Sequence, residues 1–332
     1  MLVWVVGARG LLGASVAGAL AERPGFGPFI DDERVPGKVE AALDTALRAR
    51  VARFLAESIA WSSRGFAVLW CAGATVVASG PREVAADCEA FDRFLAALDA
   101  ALDGNALAAR APGHVILASS AGGLWAGQSG GPPVTESTPV RPLSDYGFGH
   151  FAREAALAAF AARRSSVRSV TLRLSNLYGP AQRLDKAQGL VSQIARSLIY
   201  RKPIRIYVPL DTVRDYLFAA DAGRGVVDVL ERLARSAEAE STPLVKILAS
   251  EEETSVGGLL AVFRHVTRRR VAVVAGLSPL GRLQPSRLRF RSEVWTSVGR
   301  GRRTLLPEGV ASIHRYLLAQ YTRGALPPPV GV

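Results

Sequence analysis

The sequence predicts an α/β fold with a doubly wound parallel sheet, followed by a smaller mixed α/β lobe. Short, continuous apolar runs alternate with longer helix-forming stretches over the first half of the chain. Such runs are typical of parallel strands that helices cover on both faces. After about residue 180 the alternation becomes less regular, which indicates a change of architecture.

The N-terminal half alternates strands with helices. Residues 2–6 form a short apolar run, and 66–71 form a continuous one of the kind found in a buried central strand. A Gly/Pro-rich stretch at 127–133 predicts a loop. Further strands are predicted at 114–118, at 170–174 and in a run that ends at Ile30, and helices in a stretch that ends near residue 22 and at 38–63, 82–103 and 144–163.

The C-terminal half mixes the two element types less regularly. These patterns place a boundary near residue 180, so that 1–180 form a first domain and 181–326 a second. Whether 204–222 contribute to the first domain is left open, and the Pro-rich end, 327–332, is predicted to be a flexible tail. Helices are predicted at 188–200, 221–235, 255–267 and 307–322, and strands at 204–208 and 244–248.

Composition limits the classes of protein that this chain can be. Its two cysteines in 332 residues indicate neither a disulfide framework nor a zinc site, and they favour a reducing cytoplasm. The apolar run 2–21 resembles a signal peptide, but it lacks a basic start and has Arg9 within it. No other segment approaches the length of an apolar transmembrane span. We therefore predict a cytoplasmic protein without a transmembrane segment.

Positive charge is concentrated near the C-terminus. The net charge is +12, and residues 264–303 contain eleven Arg but only one acid, Glu293. One interpretation is a solvated basic surface. The other is attraction of anions such as a dinucleotide, a nucleotide-sugar diphosphate or an anionic membrane. No nucleic-acid partner is expected, because the segment lacks the patterns of such binders.

Three glycines follow the first strand and precede the first helix. Gly7, Gly10 and Gly13 permit a tight turn and let the backbone approach a pyrophosphate, while the helix N-terminus offers free amides. The context of strand, glycines and helix predicts that the first domain binds a dinucleotide. The predicted contacts of this loop are Gly7, Arg9, Gly10, Leu11, Leu12 and Gly13.

The cofactor depends on two residues with opposite charge. Asp31, at the end of the second strand, would accept hydrogen bonds from ribose hydroxyls and repel a 2′-phosphate, which favours NAD. Arg9, just before the middle glycine, favours NADP. At about 4 Å and an effective dielectric constant of about 20, either charge is worth about 4 kcal/mol against the phosphate. NAD is preferred, NADP stays open, and an exposed loop acid is the other interpretation of Asp31.

An ordered set of motifs carries the strongest signal. Residues 115–121 read as a strand that ends in Ser119 and Ser120, and 142–147 lead into Tyr146, which His150 follows after four residues. Glu154 comes next on the same helix. Residues 173–180 then contain Asn176, Arg214 precedes Asp215 and Tyr216, and 306–316 read as a closing helix.

Together these motifs resemble the extended short-chain dehydrogenase/reductase family of nucleotide-sugar epimerases, dehydratases and ketoreductases, over nearly the whole chain. The resemblance implies a Rossmann-type sheet and identifies Ser120 and Tyr146 as catalytic. It also places His150 where the family has a Lys that takes part in catalysis and binds the cofactor, so His150 is predicted for both roles. The remaining residues that it implies are Ala72, Gly73, Ser119 and Ser175 for the cofactor, and Ser120, Asn176 and Arg214 for the substrate.

The substitution of His150 for Lys changes the expected chemistry. A free Tyr with a pKa of about 10 is about 0.1% ionised at pH 7, so Tyr146 needs a neighbouring cation to act as a base. An unperturbed His is only about one quarter protonated at pH 7. Three interpretations stay open. His150 replaces the Lys in a more pH-sensitive enzyme, another cation replaces it while His150 contacts the ribose, or the protein binds nucleotide without efficient turnover.

Two substrate residues have alternative interpretations. Asn176 could cap the turn before Pro180, and Arg214 could form an ion pair with Asp215 or Asp211 instead of binding phosphate. The four histidines show no spacing for a metal site.

We therefore predict an NAD(P)-dependent C4 epimerase or 4-ketoreductase that acts on a nucleotide-diphosphate sugar. Ser119, Ser120 and Ala121 do not match the Asp-Glu pair of the family's dehydratases, which disfavours dehydration. The alternative is a catalytically weak member that binds nucleotide sugars or dinucleotides. The resemblance also implies a homodimer that pairs helices 82–103 and 144–163.

Overall fold

The computed structural model describes residues 1–29, 31, 41–62, 64–128, 130–184, 189–235, 244–276, 284–301 and 303–329. Its strands are β1 (Leu2–Val6), β2 (Gly27–Phe29), β3 (Phe66–Trp70), β4 (Gly113–Ser120), β5 (Val167–Leu174), β6 (Asn176–Tyr178), β7 (Ile204–Ile206), β8 (Val213–Arg214), β9 (Tyr216–Phe218), β10 (Leu244–Leu248), β11 (Thr254–Ser255) and β12 (Val273–Ala275). Its helices are α1 (Leu11–Ala21), α2 (Ala41–Trp61), α3 (Pro81–Asp103), α4 (Ala106–Arg110), α5 (Ala121–Leu124), α6 (Asp145–Ala162), α7 (Leu190–Tyr200), α8 (Ala219–Arg235), α9 (Val256–Thr267) and α10 (Leu306–Thr322).

The centre of the molecule is a parallel sheet with strand order β10-β5-β4-β3-β1-β2 within the described residues. β1 is buried along its whole length, because helices cover both faces of the sheet. Its side chains alternate between the two faces. Leu2 and Trp4 enter a core with residues of α2, α3 and α6, whereas Val3 and Val5 enter a second core with residues of α1 and α8. The predicted doubly wound α/β fold is confirmed.

One strand of the central sheet, β10, comes from the part of the chain after residue 180, which was predicted to form the second domain. β10 pairs with β5 through the register Leu244↔Val170 to Leu248↔Leu174, so the chain returns to the central sheet after residue 180. α8 provides the crossover and packs on α1. A parallel neighbour needs such a crossover, which local sequence patterns cannot assign to a particular sheet.

The C-terminal lobe has its own apolar core. α7, α9 and α10 pack together around Ile194, Leu259, Phe263 and Ile313. Small two-stranded sheets border this core, with β12 on β7, β11 on β8 and β6 on β9. β7 lies within the predicted strand 204–208. The other strands of these small sheets and the short helices α4 and α5 were not predicted, because elements of two to five residues carry little periodicity.

A few predictions lie at the limits of the described part. Ile30, residues 38–40 and the last three residues of the predicted tail, 330–332, are outside the described residues. In the part of the chain that the structure describes, no helix combines the length and apolar character needed to cross a membrane.

Candidate functional site

The loop between β1 and α1 is shaped for close approach of a ligand backbone. Gly7 has φ of 93°, and a Cβ there would lie 2.8 Å from the Ala72 nitrogen. A Cβ on Gly13 would lie 2.3 Å from the Gly7 carbonyl oxygen, so the loop lies directly against the helix. α1 begins without a side-chain cap or an acidic residue in its first turn. Its first amides are therefore suited to an anion such as the pyrophosphate of a dinucleotide.

A cavity of about 450 Å³ extends from this loop across the carboxyl ends of the central strands. This is the edge at which open parallel α/β sheets bind ligands. Gly7, Arg9, Gly13 and Asp31 are not among the residues that line it. Twelve of the predicted site residues line it: Gly10, Leu11, Leu12, Ala72, Gly73, Ser119, Ser120, Tyr146, His150, Ser175, Asn176 and Arg214.

Ser120 and Tyr146 meet beside the cavity. Ser120 is the last residue of β4, and its Oγ accepts a hydrogen bond of 3.1 Å from the Gly123 amide at the start of α5. Tyr146 lies in the first turn of α6. Burial raises the pKa of Tyr146, whereas a hydrogen bond with Ser120 and the charge of Arg153 oppose that rise. The arrangement holds a hydroxyl and a phenol side by side, as proton transfer at a substrate hydroxyl requires.

His150 lies one helical turn after Tyr146, with the two rings edge to face and their centroids 4.5 Å apart. Burial lowers the pKa of His150 well below 6.5, and the charge of Arg153 lowers it further. The Nη2 of Arg153 lies 3.2 Å from the His150 Nδ1. A guanidinium can only donate, so Nδ1 accepts and the ring proton is on Nε2. The lowered pKa and this contact both favour the neutral form of His150.

A buried ion pair anchors the floor of the site. Arg173 on β5 donates to both carboxylate oxygens of Glu154, at 3.1 and 2.7 Å, and its guanidinium lies over the Trp125 ring. The Ser119 hydroxyl donates to the same Glu154 at 2.6 Å. These contacts join α6 to β4 and β5, which positions Tyr146 relative to Ser120. Breaking such a pair leaves a buried charge and costs about 3–5 kcal/mol.

Asp31 lies outside the cavity, in an ion pair. Its Oδ2 accepts a hydrogen bond of 2.5 Å from the Arg50 Nε, and its side chain is 4% exposed. Arg50 also lies over the Trp4 ring. The exposed-acid interpretation of Asp31 therefore does not hold, and Arg9 is the exposed charge on the glycine loop. Arg50 was not predicted as the partner of Asp31, because it lies on α2, nineteen residues further along the chain.

Arg214 and Asn176 face a second cavity of about 300 Å³, which Ser120 and Tyr146 also line. Arg214 donates to the carbonyl oxygens of Val213 and Pro285, at 2.9 and 2.7 Å, and to the Gln284 Oε1 at 3.1 Å. Within the described residues it forms no ion pair with Asp215 or Asp211, which were its alternative partners. Burial lowers the pKa of Arg214.

Asn176 also contacts the segment that carries Arg214. Its Nδ2 donates to the Asp215 carbonyl oxygen at 3.0 Å, so the side chain links β6 to the chain beside β9. Burial raises the pKa of Asp215, whose Oδ1 accepts from the Ser250 amide at 2.9 Å. Asn176 therefore supports the wall of the cavity as well as lining it.

Arg153 lines the larger cavity with Tyr146 and His150 but was not among the residues predicted from the sequence. The available signal was spacing, since residues three, four and seven apart share a helix face. Arg153 follows His150 by three residues and Tyr146 by seven.

Comparisons with known proteins agree with this architecture. The model of the NAD dependent epimerase/dehydratase family matches residues 3–242. The dTDP-4-dehydro-6-deoxyglucose reductase of Escherichia coli is 31% identical over 116 residues, which are 35% of this chain and 36% of that protein. The aligned part thus spans only about a third of that relative's length.

Two solved structures share the fold over almost the whole chain. UDP-glucuronic acid 4-epimerase from Bacillus cereus, in complex with UDP-glucuronic acid and NAD, has a TM-score of 0.73 at 18% identity and covers 97% of this chain and 100% of its own. MoeE5 in complex with UDP-glucose and NAD has a TM-score of 0.74 at 21% identity, with coverage of 98% and 100%.

Proposed function

Because the chain belongs to the NAD dependent epimerase/dehydratase family, we propose that it is an NAD(P)-dependent epimerase or ketoreductase that acts at C4 of a nucleotide-diphosphate sugar. The observation that carries the proposal is the pair of Ser120 and Tyr146, which line both cavities. One cavity reaches the glycine loop and the other reaches Arg214. A dinucleotide and a sugar can therefore meet at this pair.

Each residue has a defined task in this proposal. A bound nicotinamide dinucleotide supplies the acceptor, and in the reverse direction the donor, of a hydride at the sugar carbon. Tyr146 removes the proton from the C4 hydroxyl as the ketone forms, and returns it when the ketone is reduced. Ser120 hydrogen-bonds the same oxygen. Arg214 offers a guanidinium to the sugar diphosphate, and the amides at the start of α1 receive the pyrophosphate.

NAD is the cofactor that we propose first, with NADP as the alternative. The solved relatives named above are complexes with NAD. The ion pair with Arg50 offsets the negative charge of Asp31. Asp31 therefore repels a 2′-phosphate, and so NADP, less strongly than a free carboxylate would. Mass spectrometry of the dinucleotide that co-purifies decides between them.

The assembly and location that we propose follow the sequence prediction. α3 and α6 pack on each other, and α6 exposes Phe148 and Phe151. These exposed rings support a homodimer through α3 and α6, and light scattering of wild type and Phe151→Glu tests it. Cys71 and Cys88 are unpaired thiols, as expected for a cytoplasmic protein.

The second candidate function is a catalytically weak binder of nucleotide sugars or dinucleotides. The neutral state of His150 favours it, since the residue at this position supplies no cation to Tyr146. Incubation with UDP- and dTDP-sugars separates the candidates. An epimerase with retained cofactor converts sugars without added dinucleotide, a ketoreductase consumes reduced cofactor, and a binder does neither.

The first prediction concerns Tyr146. Tyr146→Phe removes the proton donor and acceptor, so turnover falls by about 100-fold or more while dinucleotide binding, followed by calorimetry, stays unchanged. Tyr207→Phe is the matched control, because Tyr207 is exposed in the C-terminal lobe. Unchanged turnover in Tyr146→Phe contradicts the proposed function.

A further inference from the structure

Three polar side chains share the inner face of α6. Tyr146, His150 and Arg153 are spaced by four and three residues, which places them in line along the helix. All three line the larger cavity. His150 is 7% exposed and Arg153 is 4% exposed, so their contacts lie largely out of water.

In the described part of the chain, the guanidinium of Arg153 contacts a backbone carbonyl and His150, and no carboxylate. It donates to the Gly149 carbonyl oxygen at 3.3 Å and to the His150 Nδ1 at 3.2 Å, and within the described residues no carboxylate forms an ion pair with it. A buried charge without a counterion is costly, and such residues concentrate at functional sites. The field of this charge therefore acts on the groups around it.

Asp87, an acid on the neighbouring helix α3, is held by the loop after β3. Asp87 on α3 accepts hydrogen bonds from the Ala74 and Thr75 amides, at 3.0 Å each, and from the Thr75 hydroxyl at 2.7 Å. A Cβ on Gly73 would lie 3.5 Å from the Asp87 Oδ2 and 3.6 Å from the Arg153 Nη1. Asp87 and Arg153 thus border the same strip of backbone at the cavity, but the carboxylate is held by the loop.

We propose that Arg153, and not His150, is the positioning residue that provides the fixed positive charge beside Tyr146, while His150 is a neutral spacer that Arg153 orients. This inference rests on the proposed function. The hydrogen bond from Arg153 fixes the ring of His150 and leaves Nε2–H as its donor. That donor suits a hydroxyl of a cofactor ribose. The Lys of related enzymes combines charge and donor in one side chain, whereas this chain divides them between two.

The other charged and titratable groups around Tyr146 and His150 do not replace this charge. Asp87 raises the pKa of Tyr146, whereas Arg153 lowers it. Arg173 on β5 and Glu154 offset each other in their ion pair, and Ser119 on β4 donates to Glu154. On α3, Cys88 has a pKa that burial raises and Arg153 lowers.

The test begins with a titration that needs no substrate. Tyrosinate absorbance is followed against pH for the purified protein and for Tyr146→Phe, and the difference isolates Tyr146. Arg153→Gln is expected to raise the pKa of Tyr146 by about one unit, because it removes a nearby charge. Arg153→Lys keeps the charge and is expected to leave the titration close to that of wild type. Arg163→Gln is the matched control, since Arg163 caps the far end of α6 and is exposed.

The second measurement is the pH profile of turnover with the sugar nucleotide found active. Arg153→Gln should move the rising limb of the profile to higher pH by the same amount, with about tenfold lower turnover at pH 7 and recovery at high pH. In the double variant His150→Lys with Arg153→Gln, the rising limb of the pH profile should return to the pH of wild type, because the ammonium replaces the lost charge. A structural defect would lower turnover equally at all pH values.

These outcomes separate the inference from the proposed function. The inference is overturned if Arg153→Gln is folded, as thermal unfolding shows, and the titration of Tyr146 is unchanged in it. An equal shift in Arg153→Lys and Arg153→Gln also overturns it. If Arg153→Gln folds poorly, a rise of about one unit in Arg153→Lys alone overturns it, because that variant keeps the charge. Unchanged turnover in Tyr146→Phe overturns the proposed function instead, whatever the titration shows.

Discussion

At the scale of single residues, burial decides the protonation of two histidines with different tasks. His150 borders the cavity, whereas His114 is 2% exposed in β4, between Ala67 of β3 and Arg168 of β5. Burial and the charge of Arg168 lower the pKa of His114 to about 4, and its Nδ1 has no partner within the described residues. The unfolded chain binds a proton at His114 more readily than the folded one.

This difference predicts how stability depends on pH. Because the folded pKa is below the unfolded value of 6.5, the contribution of neutral His114 is present above pH 6.5 and is lost as the pH falls towards 4. The free energy of unfolding should fall by about 2 kcal/mol more in wild type than in His114→Gln between pH 7 and pH 5. Urea denaturation at the two pH values measures it, and equal falls would contradict the assignment.

At the scale of elements, α1 and the loop before it show why particular glycines are needed. Gly13 lies against the loop backbone, whereas a Cβ on Gly18 of the same helix would have no heavy atom within 4 Å. The two positions therefore report different effects of the same added methyl group. One tests the shape of the anion site, and the other tests only helix propensity.

Gly13→Ala should displace the loop, reduce stability by about 1–3 kcal/mol and weaken dinucleotide binding by tenfold or more. Gly18→Ala should instead stabilise the protein by about 0.5–1 kcal/mol, because Ala loses less backbone entropy in a helix. Chemical denaturation and calorimetric titration with NAD compare the two. Equal affinity for NAD in both variants would contradict the role given to the loop.

At the scale of the whole molecule, Glu136 ties the loop before α6 to β10 and to the segment 292–293. Its carboxylate accepts from the Ile247 amide at 2.9 Å, from the Ser292 hydroxyl at 2.5 Å and from the Glu293 amide at 2.9 Å. Lys246 on β10 is buried and donates to Ser292. The neighbouring residues Leu288 and Phe290 line the second cavity, so this network supports the wall of the substrate site.

Glu136→Ala removes the acceptor of the part-buried Ile247 amide and the main acceptor of the Ser292 hydroxyl, so we expect a loss of about 2–3 kcal/mol in the free energy of unfolding. Substrate affinity should fall too, because the 284–293 wall loses its anchor. Ser137→Ala, at the exposed neighbouring position, should change stability by no more than about 0.5 kcal/mol. Thermal and urea unfolding test both variants, and similar values for the two would exclude the anchoring role.

Features that depend on residues close together in the chain could be predicted from the sequence, whereas features that join distant segments could not. The boundaries of α6 and β4 were close to those predicted, since periodicity and apolar runs are local. The fold and the family resemblance are confirmed. The partner of Asp31 was not predictable, because Arg50 approaches it only once α2 packs on the sheet.

The amino-acid sequence by itself determined the alternation of strands and helices, the glycine loop before α1, and the order of Ser120, Tyr146 and His150. These features depend on spacing between near neighbours, which backbone geometry converts directly into structure. Only the tertiary structure decided that β10 joins the central sheet and that Arg153 lies buried against His150, with no ion-pair partner among the described residues. Both depend on side chains and strands from distant segments, whose contacts and desolvation arise only when the chain is packed.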